Sequence, residues 1–364
     1  MRRGRNQKLY WCKQVGVSQE TGDEMRGKEK TRIGVRGFGE IGRQIYHLAA
    51  ESDDIEVEAI SDIGKPDILH YLLGSSSIQS PNVELEGNYL RNPKFSTRMM
   101  QTDRPAETPW DLIDVNMVVD TTGKFRSREG MEGHLDNGAQ RVLISSLPDD
   151  HIDRLVIPGV NDESVSAEDR MISAGSATTV ALTLVLKVLS DESAIEAASV
   201  TSVHAYTSDQ PVQDYAGKDF RRSRSGAENI IPNTIESIPW VEGVLPAVKG
   251  KLNGHALNVP VQKGSLLDLN IVFESDGVGV DEVNEAMLEA RSGFAGKIDV
   301  VEDPVVSSDV IGNRHSVLFD LKGTLRGGQR MVKTLSWYES LGHACRLLDV
   351  ARLYSGSDVT GGGR

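Results

Sequence analysis

The sequence predicts an α/β fold in two parts: a doubly wound parallel sheet, then an α+β domain whose sheet is mixed and largely antiparallel. Three observations carry this prediction. A glycine-rich turn joins a short strand to an amphipathic helix near residue 37, further strand-and-turn units follow it, and alternating strands dominate after residue 194. A chain of 364 residues is long enough for two such domains, each with its own core.

The most specific motif is the glycine-rich turn after the first predicted strand. Ile33 and Val35 end that strand, and Gly37, Gly39 and Gly42 then form G-x-G-x-x-G at the start of the helix. Such glycines allow a tight turn and let a pyrophosphate approach the free N–H groups of the helix N-terminus. Placed between a strand and a helix, the motif predicts a dinucleotide-binding Rossmann domain. A glycine-rich turn without a ligand is the alternative.

An acidic residue at the end of the second predicted strand indicates which dinucleotide binds. Asp62 lies 20 residues after the last glycine of the motif, the spacing at which a carboxylate meets the adenosine ribose hydroxyls. Its charge would repel the 2′-phosphate of NADP. The sequence therefore predicts NAD as the cofactor, and nearby Lys65 leaves NADP open as the alternative.

Further strands of the first domain lie in "VNMVVDTTG", "GAQRVLISS" and "LVIPGV". Each is short and apolar and ends in a turn of small residues, as a doubly wound parallel sheet requires. Ligands bind at the carboxyl ends of such strands. Thr121, Gly123 and Ser145 stand near those ends and are predicted to belong to the cofactor site.

The pattern changes after the helix of "TTVALTLVLKVLSDE". Alternating strands follow, interrupted by a long polar loop and by one amphipathic helix, "VDEVNEAMLEARSG", which indicates a mixed, largely antiparallel sheet with helices on one face. A last helix is predicted to return to the first domain. The predicted divisions are a flexible N-terminal extension (1–30), the Rossmann domain (31–176, completed by helix 342–355) and the second domain (177–341).

Composition argues against several classes of protein. A formal net charge of −13 opposes binding to nucleic acid or to acidic lipid. No apolar run approaches the ~18 residues that span a membrane, and the charged N-terminus lacks the apolar centre of a secretion signal, so we expect a cytoplasmic protein. Cys12 and Cys345 have no metal-ligand spacing, so neither a disulfide framework nor a metal site is predicted.

The segment "ISAGSATTVAL" (172–182) combines a strand end, a tight turn and a helix start. Ser176 is predicted to cap that helix, because serine oxygens accept hydrogen bonds from the free N–H groups of the first turn. Helix N-termini stabilise anions and thiolates. The next residue is Ala177, however, so the turn has the form of a nucleophile site without a nucleophile.

Several segments together resemble the phosphorylating glyceraldehyde-3-phosphate dehydrogenase family. They lie in the family's order between residues 31 and 355 and include "IGVRGFGEIGR", "VVDTTGKF", "VIPGVNDE", "SVHAYTSDQ", "KDFRRSR", "ENIIP", "NGHALNVPV" and "LSWYES". The resemblance implies an NAD-binding Rossmann domain, a second α+β domain and assembly as a homotetramer. The family's activity is NAD-dependent oxidation of glyceraldehyde 3-phosphate with inorganic phosphate.

The resemblance also implies roles for individual residues. The family's nucleophilic cysteine corresponds to Ala177, and its general base corresponds to His204. The residues that it places at the substrate and phosphate are Ser176, Thr178, Thr207, Asp209 and Arg221. The residues that belong to the implied cofactor site are Gly37, Phe38, Gly39, Glu40, Ile41, Gly42, Asp62, Thr121, Gly123, Ser145 and Ser340.

The missing cysteine is one of several departures from the family's pattern. The family's second phosphate-binding arginine is Asn258, and the asparagine that orients the nicotinamide amide is Ser340. We expect Glu236, taken to lie on the buried side of the pocket, to repel inorganic phosphate. The remaining departures are Ile235 beside Glu236, and Arg36 and Glu40 within the dinucleotide loop.

Three functions fit this pattern. In the first, the chain binds NAD without catalysis and acts as a sensor, regulator or assembly partner. In the second, it is an oxidoreductase that acts on an aldehyde or related metabolite without a cysteine, with His204 as base. The third is a subunit that joins an active homologue in a mixed tetramer. This third function rests on the long polar loop with Arg221, Arg222 and Arg224, because such loops commonly serve a site or an interface.

Overall fold

Two sheets, each covered by helices, make up the part of the chain that the computed structural model describes. That part comprises residues 30–76, 78, 82–207, 210–217 and 219–355. The predicted extension 1–30 therefore lies almost wholly outside the described residues, as does Asp209 of the predicted anion site.

The first sheet carries the glycine-rich turn. Its strands are β1 (Thr31–Arg36), β2 (Ile55–Asp62), β3 (Glu84–Glu86), β4 (Tyr89–Arg91), β5 (Ser96–Gln101), β6 (Met117–Asp120), β7 (Val142–Ile144), β8 (Arg154–Leu155) and β9 (Met171–Ser173). Their order is β3-β4-β5-β2-β1-β6-β7-β9-β8. All neighbours from β5 to β8 are parallel, whereas β3 and β4 form an antiparallel edge. The predicted doubly wound parallel sheet is confirmed.

The first sheet differs from the prediction in two details. The antiparallel edge was not expected, because its strands are only three residues long and their pattern is weak. The strand predicted in "LVIPGV" is also shorter than expected, since β8 ends at Leu155. The Ile157 N–H donates to Asn161 Oδ1 instead of a strand, and Pro158 has no N–H to donate.

Three helices accompany the first sheet: α1 (Glu40–Glu51), α2 (Pro66–Gly74) and α3 (Arg128–Leu135). Three more belong with the second sheet: α4 (Ala177–Glu192), α5 (Ser237–Val244) and α6 (Val280–Gly293). Most of α4 is buried, and it packs against α5 and α6 beneath the second sheet. This places the start of α4, with its turn, between the two sheets.

The second sheet has two parallel pairs among otherwise antiparallel strands. Its strands are β10 (Ile195–Ala205), β11 (Ile231–Thr234), β12 (Leu252–Val259), β13 (Ser265–Phe273), β14 (Ile298–Val301), β15 (Val317–Arg326) and β16 (Met331–Tyr338). The order is β11-β12-β10-β13-β16-β15-β14, with β10–β12 and β14–β15 parallel. This is the mixed, largely antiparallel sheet that the sequence predicts.

The last helix, α7 (Ser340–Ser355), leaves the second sheet and packs on α1. Leu341, Leu347 and Tyr354 are buried in the core that also contains Ile33 of β1. Burying one such leucine contributes about 1.5–3 kcal/mol. The predicted return of the last helix is therefore observed, and the helix begins two residues earlier than residue 342. None of the described helices is long and apolar enough to cross a bilayer.

Candidate functional site

A cleft of about 800 Å³ lies where the carboxyl ends of the first sheet's parallel strands face β10, β16 and the start of α4. Eight of the predicted cofactor residues line it: Gly37, Gly39, Glu40, Ile41, Asp62, Thr121, Ser145 and Ser340. The catalytic and anion-site residues that line it are Ser176, Ala177, His204 and Thr207. One cleft thus joins the predicted cofactor site to the turn before α4.

Five predicted site residues are not among the described residues that line the cleft. Phe38, Gly42 and Thr178 are buried behind its wall, Gly123 lies in the turn after β6, and Arg221 is exposed on the long polar loop. Phe38 and Gly42 still shape the turn, because the Phe38 N–H donates to Asp62 and Gly42 packs closely on Gly37.

The glycine-rich turn has the geometry that the motif predicts. Gly37 has a φ of +84°, and a Cβ on Gly42 would lie 2.2 Å from the Gly37 carbonyl oxygen. A Cβ on Gly39 would meet no described atom within 4 Å, so open space adjoins the backbone there. No described side chain caps α1, which begins at Glu40. An uncapped helix N-terminus beside open space fits a pyrophosphate.

The Asp62 carboxylate is held at the edge of the cleft by two backbone N–H groups. Its Oδ2 accepts from Phe38 N–H at 2.6 Å, and its Oδ1 accepts from Gly64 N–H at 2.7 Å. A carboxylate has about four lone-pair sites, so two remain to accept from ribose hydroxyls. The arrangement fixes the Asp62 carboxylate and leaves part of its hydrogen-bond acceptor sites for a ligand, which fits the predicted ribose contact.

Arg36 is an internal anchor of the cleft wall. Its side chain is buried, and Nη1 donates to Ser61 Oγ at 2.7 Å and to the Thr102 carbonyl at 2.9 Å. Its guanidinium also lies 5.7 Å from the centre of the Phe125 ring. Burial lowers the pKa of this guanidinium, but neighbouring carboxylates oppose that shift. The departure at Arg36 therefore joins strand ends together through the hydrogen bonds of its terminal nitrogens, whereas its buried Nε has no partner among the described residues.

Glu40 is paired with a lysine across the cleft. Lys263 Nζ lies 2.7 Å from Glu40 Oε1, and Ser340 Oγ donates to the same oxygen at 3.3 Å. Ser340 in turn accepts from Gln44 Nε2 at 2.9 Å. The acid at this position of the dinucleotide loop is therefore balanced by the charge of Lys263.

The turn before α4 is a capped helix start without a thiol. Ser176 Oγ accepts from Thr179 N–H at 3.1 Å, as predicted, and shares a second hydrogen bond with the Thr179 hydroxyl. Thr178 Oγ1 shares a hydrogen bond of 2.9 Å with Tyr338 OH. Ala177, between them, lines the cleft, and no cysteine is among the described residues that do so.

His204 stands at the end of β10 and faces the same cleft. Its Nδ1 lies 2.5 Å from the Ala205 carbonyl oxygen, and its ring meets the Tyr338 ring edge-on at 6.1 Å. A carbonyl oxygen only accepts, so Nδ1 carries the proton of the neutral ring and Nε2 carries its lone pair. This tautomer can act as a base through Nε2.

Asn258 and Arg221, which the resemblance assigns to phosphate, lie around the paired strands β10, β11 and β12, where Asn258 is the register partner of His204. Arg221 Nη1 donates to the Pro232 carbonyl at 3.4 Å, and buried Asn258 bonds with Asn233. The expectation that Glu236 lies on the buried side is wrong. Its side chain is 65% exposed and pairs with Arg126 of the first domain at 3.4 Å.

Known proteins match most of this chain. The family profile "Glyceraldehyde 3-phosphate dehydrogenase, NAD binding domain" matches residues 31–128, and "Glyceraldehyde 3-phosphate dehydrogenase, C-terminal domain" matches residues 176–340. Glyceraldehyde-3-phosphate dehydrogenase of Haloarcula vallismortis is 37% identical over 334 residues, which cover 89% of this chain and 98% of that protein. The corresponding protein of Priestia megaterium is 38% identical over 328 residues, 88% of this chain and 97% of that protein.

The chain belongs to the glyceraldehyde-3-phosphate dehydrogenase family. Its cofactor is NAD, and its fold is that of the family's NAD-binding and C-terminal domains. The predicted resemblance and the predicted cofactor are confirmed.

Sequence reasoning missed many residues that line the cleft, among them Glu339, His343 and Lys263. Glu339 and His343 line it from the start of α7, and Lys263 lines it from the loop after β12. The segment "LSWYES" (335–340) is the signal that could have indicated the first two, because it contains Glu339 and ends three residues before His343. Nothing in the sequence near Lys263 indicates its partner, because the two residues of the pair are more than 200 positions apart.

Proposed function

We propose that this chain binds NAD in the cleft and does not carry out phosphorylating oxidation of glyceraldehyde 3-phosphate. The observation that carries the proposal is Ala177, which lines the cleft at the first position of α4 with a methyl side chain. A methyl group has no lone pair with which to attack an aldehyde. Ser176 is a poor substitute, since its oxygen already caps the helix.

The residues around the turn support the same proposal. The Thr178 hydroxyl is engaged by Tyr338, and Thr207 N–H donates to Gln210 Oε1 at 3.1 Å. Arg221 is exposed on its loop, and Asn258 carries no charge. A doubly charged phosphate therefore meets few cations on the α4 side of the cleft, whereas the dinucleotide side keeps its turn and its acid. The role that fits is that of a cytoplasmic NAD sensor, regulator or assembly partner.

A second candidate is an NAD-dependent oxidoreductase for an aldehyde or related small metabolite. The neutral His204 tautomer, with its lone pair on Nε2, favours it. A base at that position could take a proton from an aldehyde hydrate or an alcohol while hydride passes to the cofactor. General base catalysis contributes about 10²–10⁴-fold, less than a route through a covalent intermediate provides.

Assembly is a further part of the proposal. The loop between β10 and β11 exposes Val212 (73%), Tyr215 (55%) and Phe220 (96%) among its arginines. Exposed apolar side chains of this size are typical of a subunit interface. A homotetramer fits them, and so does a mixed tetramer with an active homologue.

Binding, turnover and co-purification experiments test these proposals. We expect calorimetric binding of NAD and no NADH formation from glyceraldehyde 3-phosphate and phosphate. Acyl phosphate formed by protein free of host enzyme would refute the non-catalytic proposal, and absence of NAD binding would refute it too. A steady NADH signal with one compound of an aldehyde and alcohol panel, lost in His204→Gln, would favour the second candidate. Co-purification of an intact paralogue would favour the mixed tetramer.

A further inference from the structure

Besides Arg36 Nε, two buried polar atoms in the cleft wall have no hydrogen-bond partner among the described residues. They are Glu339 Oε1 and His343 Nδ1, one helical turn apart at the start of α7. The two side chains are 5% and 2% exposed, and both residues line the cleft. An unpaired buried polar atom is unfavourable because it has lost its hydrogen bonds to water, so a pair of them in a cleft points to a ligand.

The remaining atoms of both side chains are fixed. Glu339 Oε2 accepts from Leu341 N–H at 2.9 Å, and His343 Nε2 donates to the Ser145 carbonyl at 2.9 Å. Because Nε2 donates, Nδ1 is the unprotonated acceptor of the ring. Burial lowers the pKa of His343 to about 4, so the ring is neutral near pH 7. Among these atoms only Glu339 can bring a charge to this part of the cleft.

The two residues lie at the end of the cleft opposite Asp62. Tyr338, next to Glu339, bonds to Thr178 in the first turn of α4, and Ser145 follows β7. Asp62 follows β2, and the order of these strands is β2-β1-β6-β7. With adenosine at β2 and the pyrophosphate at the turn after β1, the nicotinamide would extend toward β6 and β7. This inference rests on the proposed binding of NAD in the cleft.

We propose that Glu339 makes binding depend on the oxidation state of the dinucleotide. The nicotinamide ring carries a positive charge in NAD⁺ and none in NADH. A carboxylate in a buried wall beside that ring favours the oxidised form by direct attraction, and the effect is large because little water screens it. The chain would then bind NAD⁺ in preference to NADH, as a sensor of their ratio requires.

The charge of Glu339 depends on its neighbours as well as on its burial. Burial raises the pKa of its carboxyl above the ordinary 4.5, and Glu40 on α1 acts in the same direction. The hydrogen bond from Leu341 N–H opposes them, and so does the charge of Lys263 in the loop after β12. NAD⁺ stabilises the carboxylate, so its binding lowers this pKa and releases a proton. The affinity for NAD⁺ therefore rises as the pH increases through the raised pKa of Glu339, whereas that for NADH does not.

His204 gives a pH trend of the same sign. Its protonated form, at the same end of the cleft, would repel NAD⁺ and leave NADH unaffected. The pH dependence must therefore be measured in His204→Gln, which removes this second titrating group and leaves Glu339 in place.

The test is the ratio of the two dissociation constants, NADH over NAD⁺, measured by calorimetry on the full chain at pH 7.5. We expect Glu339→Gln to lower this ratio about tenfold. A tenfold change corresponds to an interaction free energy of about 1.4 kcal/mol between the ring charge and the carboxylate. Glutamine keeps the acceptor for Leu341 N–H. Glu236→Gln is the matched control, since it removes one carboxylate that lies outside the cleft, and it should leave the ratio unchanged.

Each outcome decides the inference. A ratio that changes less than twofold in Glu339→Gln overturns it while the proposed NAD binding stands, and wild-type protein that binds neither dinucleotide overturns both. If Glu339→Gln does not fold, the pH profile of His204→Gln replaces it. A ratio that increases from about pH 4.5 to pH 8 supports the inference, and a flat ratio overturns it.

Discussion

Lys263 Nζ lies 2.7 Å from Glu40 Oε1, and this ion pair joins the loop after β12 to the first turn of α1. Their side chains are 28% and 44% exposed, so the pair is partly open to water. It connects the second domain to the edge of the dinucleotide turn. The pair therefore affects both the charge that a pyrophosphate meets and the contact between the domains.

We expect Lys263→Met to weaken NAD binding about three- to tenfold, because Glu40 then faces the pyrophosphate without compensation. Partly exposed pairs contribute about 0.2–1 kcal/mol, and an unpaired like charge adds a similar penalty. The double variant with Glu40→Gln should recover most of the loss in calorimetric titrations. Lys251→Met, which breaks a pair with Glu274, is the control. No recovery in the double variant would show that Lys263 acts through packing.

We expect Asp62→Ala to weaken NAD binding roughly 10- to 150-fold. The variant loses a charge-assisted ribose bond of about 1.5–3 kcal/mol, and it also frees the Phe38 N–H at the turn. Asp67→Ala, an exposed acid nearby on α2, should bind NAD as the wild type does. Unchanged affinity in Asp62→Ala would mean that the ribose lies elsewhere.

We expect Ala177→Cys to produce a reactive thiol but not an active dehydrogenase. The N-terminus of α4 and His204 favour a thiolate at that position, which should lower its pKa. Alkylation by iodoacetamide near pH 7 should be faster than at Cys345, where burial raises the pKa of the thiol. Mass spectrometry of the two peptides measures this difference.

Phosphate-dependent turnover should still be absent from Ala177→Cys, because Asn258 and Ile235 do not restore the anion site. Misplacement of a reacting group by ~1 Å costs about 10²-fold. Turnover near the level of the family's active enzymes would contradict the non-catalytic proposal. Slow oxidation of small unphosphorylated aldehydes, without acceleration by phosphate, is the expected ceiling.

His343 should make stability depend on pH. Its pKa is lowered to about 4 in the folded chain, so between pH 6.5 and 4 the unfolded chain binds the extra proton. The free energy of unfolding should therefore decrease by about 3 kcal/mol as the pH falls through this window. Urea unfolding should show a smaller decrease in His343→Gln. Burial also lowers the pKa values of His47 and His315, so a residual slope is expected. The exposed His255→Gln should behave as the wild type.

The sequence predicted those features whose cause is local. Gly37, Gly39 and Gly42 stand together in one turn, and Ser176 caps the helix that begins at the next residue, so spacing alone indicated both. The two sheets followed from the period of the apolar residues. The predicted domain boundaries and the roles of the site residues remain predictions.

Other features depend on contacts between distant parts of the chain. Lys263 neutralises Glu40, Arg36 is fixed by Thr102, and Glu236 turns outward to Arg126. In each pair the residues are separated by more than 60 positions, and no periodicity encodes the partner. The charge of a residue could be read from the sequence, but what surrounds that charge could not.

The packing of α7 on α1 has a consequence for synthesis of the chain. Leu341, Leu347 and Tyr354 fill the core of the first domain, yet the whole second domain precedes them in the chain. The first domain therefore stays open, with its apolar interior uncovered, while the whole second domain is translated. The dinucleotide-binding half is completed only after the second domain has been made, and a message truncated before codon 340 would yield all strands of the second sheet beside a first domain that lacks α7.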